Sequence, residues 1–239
     1  MAEREVIGFY KLKLLEVTTI LLKRGIYEYT AGHVSVRIPG TELILIPGHI
    51  HPERRTIDSL TEEDVSLMDL DGRLIEGKLS PPGEKYIHTE IYKLRPDVGS
   101  VVHAHPKMVN ALGIAGKELL PISLHSCIFH PKVPIHPYPG EINTAELGRD
   151  IAQCLGKGYA VVQQGHGANA VGATLEQACV VAVTMEDCAE MQWTSMMVGE
   201  PRILPDKYLE NKLTKGAEDW EFFGNPWVYY HHKYIKKNG

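Results

Sequence analysis

The sequence has little that would tie the chain to a membrane, an oxidising compartment or a nucleic acid. No apolar run approaches the ~20 residues needed to span a bilayer. The opening residues, MAEREVIGFYKLK, mix charged and apolar side chains without the basic, apolar and cleavage regions of a secretory signal. Only four cysteines occur, Cys127, Cys154, Cys179 and Cys188, none in a C-x-x-C pair and all in apolar stretches. That usage predicts buried free thiols in a reducing cytoplasm. Basic residues are outnumbered, 25 Lys and Arg against 30 Asp and Glu, and a formal net charge of −5 argues against nucleic acid or an anionic membrane as partner. Neither G-x-G-x-x-G nor G-x-x-x-x-G-K-[ST] occurs, which disfavours nucleotide binding. No serine sits in a G-x-S-x-G elbow, and no cysteine lies in a polar, electropositive setting. No internal repeat, low-complexity segment or Pro/Gly linker divides the chain.

What is present is a core and many histidines. Hydrophobic residues make up 44% of 239 positions, enough for one large domain or two small ones. Twelve histidines are the compositional hint of metal chemistry.

Arg4–Lys23 shows helical periodicity, with Arg24-Gly25 as its stop. Val34–Ile38 and Leu43–Ile46 read as strands joined through Pro39-Gly40, and His49–Arg55 as a loop. Thr61–Asp64 opens a short helix before the strand Val65–Leu70, and Asp71-Gly72 turns the chain into Arg73–Ile75. Pro81-Pro82-Gly83 breaks the chain ahead of a helix over Glu84–Leu94. A strand ending at His105 follows, then a helix from Pro106, proline at its first position, to about Ala115. Short strands are assigned within Pro121–Tyr138. Asn143–Leu155 is a helix capped by Asn143 or Thr144, and Tyr159–Gln163 a buried strand. Thr174-Leu175-Glu176-Gln177 is a capping box opening a helix to about Val198, with Ala178, Val181, Ala182, Met185, Ala189 and Trp193 apolar. Hairpins early and helices later predict an α/β fold, a three-layer α/β/α sandwich around a mostly antiparallel sheet. Residues 1–198 are expected to form one domain, and 199–239 a tail that packs on the same or a neighbouring subunit.

Four residues carry candidate chemistry. In an extended backbone His103 and His105 project to the same side, close enough to share a divalent ion. His166 stands between Gly165 and Gly167 at the end of another strand, and Glu84 follows the Pro-Gly break. Three neutral imidazoles with an exchangeable position describe a catalytic metal site, and a nearby carboxylate serves as fourth ligand or proton acceptor. Taken singly, each residue has a plainer reading: ordinary histidines, a glycine-flanked turn, a solvated acid at a helix start. His88, four residues after Glu84, is either an orienting partner or a satisfied core histidine. His49, His51, Arg54 and Arg55 make a cationic loop, either a solvated turn or an anion site.

The order of these blocks resembles the class II aldolase/adducin head domain family, whose familiar enzymes are L-fuculose-phosphate aldolase and L-ribulose-phosphate 4-epimerase. The blocks are Gly32-His33-Val34-Ser35-Val36-Arg37, Gly83-Glu84 with His88, Arg95-Pro96-Asp97-Val98 leading to His103-Ala104-His105-Pro106, and Gly165-His166-Gly167 before Thr174-Leu175-Glu176-Gln177-Ala178. The resemblance implies metal ligation by His103, His105 and His166, with Glu84 as ligand or base. It implies a homotetramer with active sites at subunit interfaces, and a small-molecule substrate. It suggests zinc or manganese as the ion, while cobalt or iron also suit such a donor set.

Where phosphate-using members carry Gly-Asn, Ser-Gly and Ser-Ser, this chain has Gly32-His33, Pro47-Gly48 and Pro82-Gly83. That removes side-chain donors for a phosphate, and proline supplies no N–H in their place. The pattern looks like the branch containing metal-dependent decarboxylases of aromatic hydroxy acids. The expected activity is decarboxylation through a metal-stabilised enolate. Here Glu84 relays protons, and His33, His49, Arg54, Arg55 and Gly83 contact substrate. An aldolase or epimerase, with Tyr229, Tyr230 or Tyr234 donating a proton from a neighbouring subunit, is the alternative; a non-catalytic interaction domain is another.

Overall fold

The computed structural model describes residues 3–28, 31–49, 56–216 and 222–236. His51, Arg54 and Arg55 of the expected cationic loop, and Trp220 of the tail, lie outside the described residues.

Among the described residues, eight strands form one sheet: β1 (His33–Arg37), β2 (Ile44–Pro47), β3 (Val65–Met68), β4 (Leu74–Glu76), β5 (Ser100–Ala104), β6 (Ile135–His136), β7 (Ala160–Gln163) and β8 (Gly167–Gly172). Their order is β4-β3-β2-β1-β5-β8-β7-β6, antiparallel throughout except for the parallel pair β6–β7. The helices are α1 (Glu3–Lys23), α2 (Lys85–Leu94), α3 (Lys107–Ile114), α4 (Ala145–Leu155), α5 (Leu175–Met196), α6 (Asp206–Gly216) and α7 (Gly224–Tyr234).

The period-two alternation of strands sorts the core into two layers. Leu45, Val102, Val162 and Ala170 join the cluster under α1, α3 and α5. Their neighbours Ile44, Ile46, Val101, Val161 and Val171 join the cluster under α2 and α4. His103 shares the parity of Val101, so it faces α2. In β1, Ser35 points the same way and bonds the α2 residues His88 and Tyr92. The expected three-layer sandwich is what forms, and among the described residues no helix is long and apolar enough to cross a membrane.

Several local expectations are corrected. Pro106 stands just before α3 rather than inside it, with extended backbone at φ −64° and ψ 134°. Within Pro121–Tyr138 a short 3-10 turn, His125–Phe129, and the two-residue β6 replace a set of strands. Thr144, not Asn143, caps α4, accepting from the Leu147 N–H at 3.3 Å. In α5, Thr174 accepts from the Gln177 N–H, but Gln177 Oε1 takes the Ala173 N–H, one residue upstream of a reciprocal box. Trp193 is 43% exposed, whereas neighbouring Gln192 is buried because its amide bonds the Glu118 carbonyl and the Leu120 N–H.

The strand absent from the sequence reading is β8, GANAVG, buried along its whole length. Its small residues have low strand propensity but permit close packing. A Cβ on Gly172 would lie 2.5 Å from the Ala178 nitrogen at the start of α5.

In the tail, α7 packs on α1 and α5. Phe223 is buried there, and Trp227, Tyr230 and Tyr234 rest on the same core.

Candidate metal centre

The antiparallel register sets His33 opposite His103 across β1–β5, and His103 opposite Asn169 across β5–β8. His105 lies one residue beyond the end of β5, His166 in the turn between β7 and β8, and Glu84 at the N-cap position of α2. The sheet end and one helix start thus converge.

His103 is fully buried, and its Nδ1 bonds Asn169 Oδ1 at 2.8 Å. An amide oxygen only accepts, so Nδ1 carries the proton and Nε2 keeps its lone pair. That Nε2 lies 3.2 Å from His105 Nε2 and 3.4 Å from Glu84 Oε2. His166 Nε2 lies 3.5 Å from Glu84 Oε1, and its Nδ1 is 3.4 Å from the Pro139 carbonyl. Glu84 Oε1 also accepts the Ile142 N–H at 3.0 Å.

These separations fit a metal. Donors around a four-coordinate ion with bonds of about 2.0–2.1 Å stand roughly 3.3 Å apart. Burial, then His103 and His166, push the His105 pKa down to about 4, which favours the neutral imidazole a metal requires. Burial pushes the Glu84 carboxyl up, but the His103 and His166 rings facing it, together with the Ile142 N–H, outweigh it and hold the group well below the usual carboxylate range. The Glu84 carboxylate in turn raises His166. A cation among the four residues would serve the same balance.

Among the described residues, two donor groups have ligand atoms mutually within 4.8 Å: His103, His105 and His166, and His33, Glu84 and His103. Both include His103, whose one free lone pair, with Nδ1 bonded to Asn169, is on Nε2. They are therefore alternative sets for one ion, not a two-ion site.

His33 is held differently. Its Nδ1 lies 2.7 Å from His88 Nε2, His88 Nδ1 lies 2.7 Å from Ser35 Oγ, and Ser35 Oγ lies 2.7 Å from the Tyr92 hydroxyl. Burial, reinforced by His103, lowers the His33 pKa to about 3. Burial also holds His88 well below the ordinary histidine value. His33 is thus a neutral ring at the lip of the centre.

Beside it opens a cleft of about 330 Å³ lined by Ala31, Gly32, His33, Pro47, Gly48, His49, Pro82, Gly83, Glu84, His105 and Glu141. His33, His49 and Gly83, expected to contact substrate, all line it, and so does Glu84. Among the described lining residues there is no lysine or arginine. Tyr229 and Tyr230 are elsewhere in this chain. The Tyr230 ring lies under Arg24, and the Tyr229 hydroxyl accepts from Lys233 Nζ at 3.0 Å. Neither enters its own chain's cleft, so a role for them requires a second subunit.

Asn169 and Glu141 go unflagged in the sequence. Asn169 sits three residues after His166 in a stretch without strand character, and only the β5–β8 register reveals its partner. Glu141 carries no motif.

Residues 12–193 match the Class II Aldolase and Adducin N-terminal domain family. The chain is 32% identical over 199 residues to a 3,4-dihydroxyphthalate decarboxylase of Arthrobacter keyseri, covering 78% of this chain and 79% of that protein. It is also 32% identical over 203 residues to a 5-methylthioribulose-1-phosphate/5-deoxyribulose-1-phosphate aldolase of Rhodospirillum rubrum, covering 84% and 86%. Among solved structures, an L-fuculose 1-phosphate aldolase superposes with a TM-score of 0.80 at 26% identity, covering 90% of this chain and 97% of that one.

Proposed function

The chain belongs to the Class II Aldolase and Adducin N-terminal domain family, and on that premise we propose that it is a divalent-metal-dependent carbon–carbon lyase that decarboxylates a small hydroxy or keto acid, aromatic acids included. The observation that carries this reading is the cleft over the histidine cluster. Its described lining offers the neutral His33 imidazole, two prolines, glycines and the Glu141 carboxylate, with the Glu84 carboxylate on the same wall.

Losing CO₂ from a β-keto-type acid leaves an electron pair that must be held as an enolate. A divalent ion on His103, His105 and His166 would supply Lewis acidity toward that charge. Zinc and manganese are the ions favoured in this reading, and cobalt and iron suit the same donors. The remaining work falls to the chain. Glu84 faces both the ligand cluster and the cleft, so its carboxylate can take the proton of a substrate hydroxyl and pass it to the carbon that loses CO₂. His33, fixed by His88, offers one nitrogen to a substrate hydroxyl or carboxylate. Buried Val101 and Ala104 beside the ligands limit water behind the centre.

Cleavage of a small hydroxycarbonyl is the second reading, favoured by the aldolase relatives. It uses the same cluster, with Glu84 as base and Tyr229 or Tyr230 reaching in from a neighbouring subunit of a homotetramer. The four cysteines, all free, are in keeping with a cytoplasmic enzyme.

The test is to assay purified protein, after metal analysis, against hydroxylated aromatic acids and against phosphorylated and unphosphorylated hydroxyketones. Stoichiometric metal with CO₂ release supports the proposal. Aldehyde release without CO₂ transfers the case to the aldolase reading, and absence of a bound divalent ion overturns both.

A further inference from the structure

Two of the three imidazoles lie outside the sheet ladder, and one short helix holds both. Only His105 and Pro106 separate the end of β5 at Ala104 from the start of α3 at Lys107. Pro106 has its φ locked by the ring, so the direction of α3 dictates where the His105 ring stands. One turn into the helix, Asn110 Nδ2 donates to the His166 carbonyl at 3.1 Å. That carbonyl can only accept, so the amide orientation is forced, and Asn110 Oδ1 is buried without a partner among the described residues. Gly167 completes the arrangement: a Cβ there would lie 2.5 Å from His105 Cδ2, so the ring rests on bare backbone beside His166.

The helix itself is fixed from α5. Pro106 gives α3 no side-chain cap, and the free N–H groups of its first turn need an acceptor. Glu186 supplies it: the Met108 N–H lies 2.9 Å from Oε1 and 3.1 Å from Oε2, and the Val109 N–H lies 3.0 Å from Oε2. A carboxylate at that place also complements the helix dipole. Glu186 is thus joined to α3, and α3 to both His105 and His166.

We propose that α3 is a strut for the metal centre, and that Glu186 and Asn110 are positioning residues that set the His105–His166 separation and through it ion affinity. The proposal rests on the metal reading of the cluster.

The test is titration of metal-free full-length protein with Co²⁺ and Zn²⁺, by chelator competition and by the visible spectrum of the cobalt form, for wild type, Asn110→Ala, Glu186→Ala and Glu186→Gln. Expected is a loss of affinity of about 10-fold or more in the two alanine variants, the usual effect of removing an orienting partner, with a changed cobalt spectrum. Glu186→Gln, which keeps an acceptor oxygen, recovers part of it. Should Glu186→Ala fail to fold, Asn110→Ala and Glu186→Gln carry the test. Variants that lose thermal stability yet bind the ion with wild-type affinity and spectrum would make the contacts merely structural and overturn the strut. Wild-type protein that takes up no ion would overturn the metal reading, and the strut with it.

Discussion

His33 and His103 face each other across β1 and β5, their ring centroids 5.1 Å apart, yet they are built for different tasks. The Nδ1 of His103 meets an amide oxygen and that of His33 meets another imidazole. The amide oxygen can only accept, which commits His103 Nε2 to presenting a lone pair. The imidazole of His88 can donate or accept, and beyond it Ser35 and Tyr92 hydroxyls can do either. The outward nitrogen of His33 is therefore free to meet a donor or an acceptor. One histidine presents a fixed lone pair, as a cation site needs, and the other can donate or accept, and the distinction lies in the group behind each ring.

That contrast is breakable at several points. The largest effect is expected from His103→Ala, which removes the nitrogen common to both donor groups. The protein should retain no stoichiometric divalent ion by elemental analysis, gain no thermal stability from added metal, and lose activity. Next is Glu84→Gln, which should keep the ion but slow turnover by roughly 10²–10⁴-fold, as loss of a positioned acid–base group does. A Glu84→Gln enzyme with wild-type kcat would exclude the proton-transfer role. Asn169→Leu releases His103 Nδ1 from its fixed acceptor, and ion affinity by chelator competition should fall about 10–100-fold. The smallest effect on the centre belongs to His88→Leu. Stranding His33 Nδ1 in a buried site should cost on the order of 1–3 kcal/mol in denaturant unfolding, while ion affinity stays at the wild-type level. If His88→Leu strips the metal as Asn169→Leu does, the division between the two histidines fails.

The same region shows what sequence patterns reach. Strand β5 announces itself by Val98, Val101 and Val102, and His103 within it and His105 just beyond it by their spacing. Its neighbour β8 does not. GANAVG has the composition of a loop, and it forms a central strand because α5 packs too close to tolerate larger side chains, as at Gly172. Missing that strand conceals Asn169. Trp193 and Gln192 fail for a related reason. Periodicity assigns the aromatic to the core, but two backbone groups at Glu118 and Leu120 need partners, and the amide takes the buried position. Pro106 ends β5 as expected, but it leaves the start of α3 to a carboxylate 80 residues further on, since Glu186 serves that turn.

The sequence by itself determined the donor types, the strand that carries one of them and runs into the second, the helix start that carries the carboxylate, and the family they belong to. These follow from local rules: period two in a strand, a proline–glycine break, caps at helix starts. Tertiary structure decided the state of each donor. The partner of His103 is 66 residues away and that of His33 is 55 residues away, and such pairings arise only when strand register and helix packing bring distant segments into hydrogen-bond range. Whether an imidazole offers a lone pair or a proton depends on that distant partner.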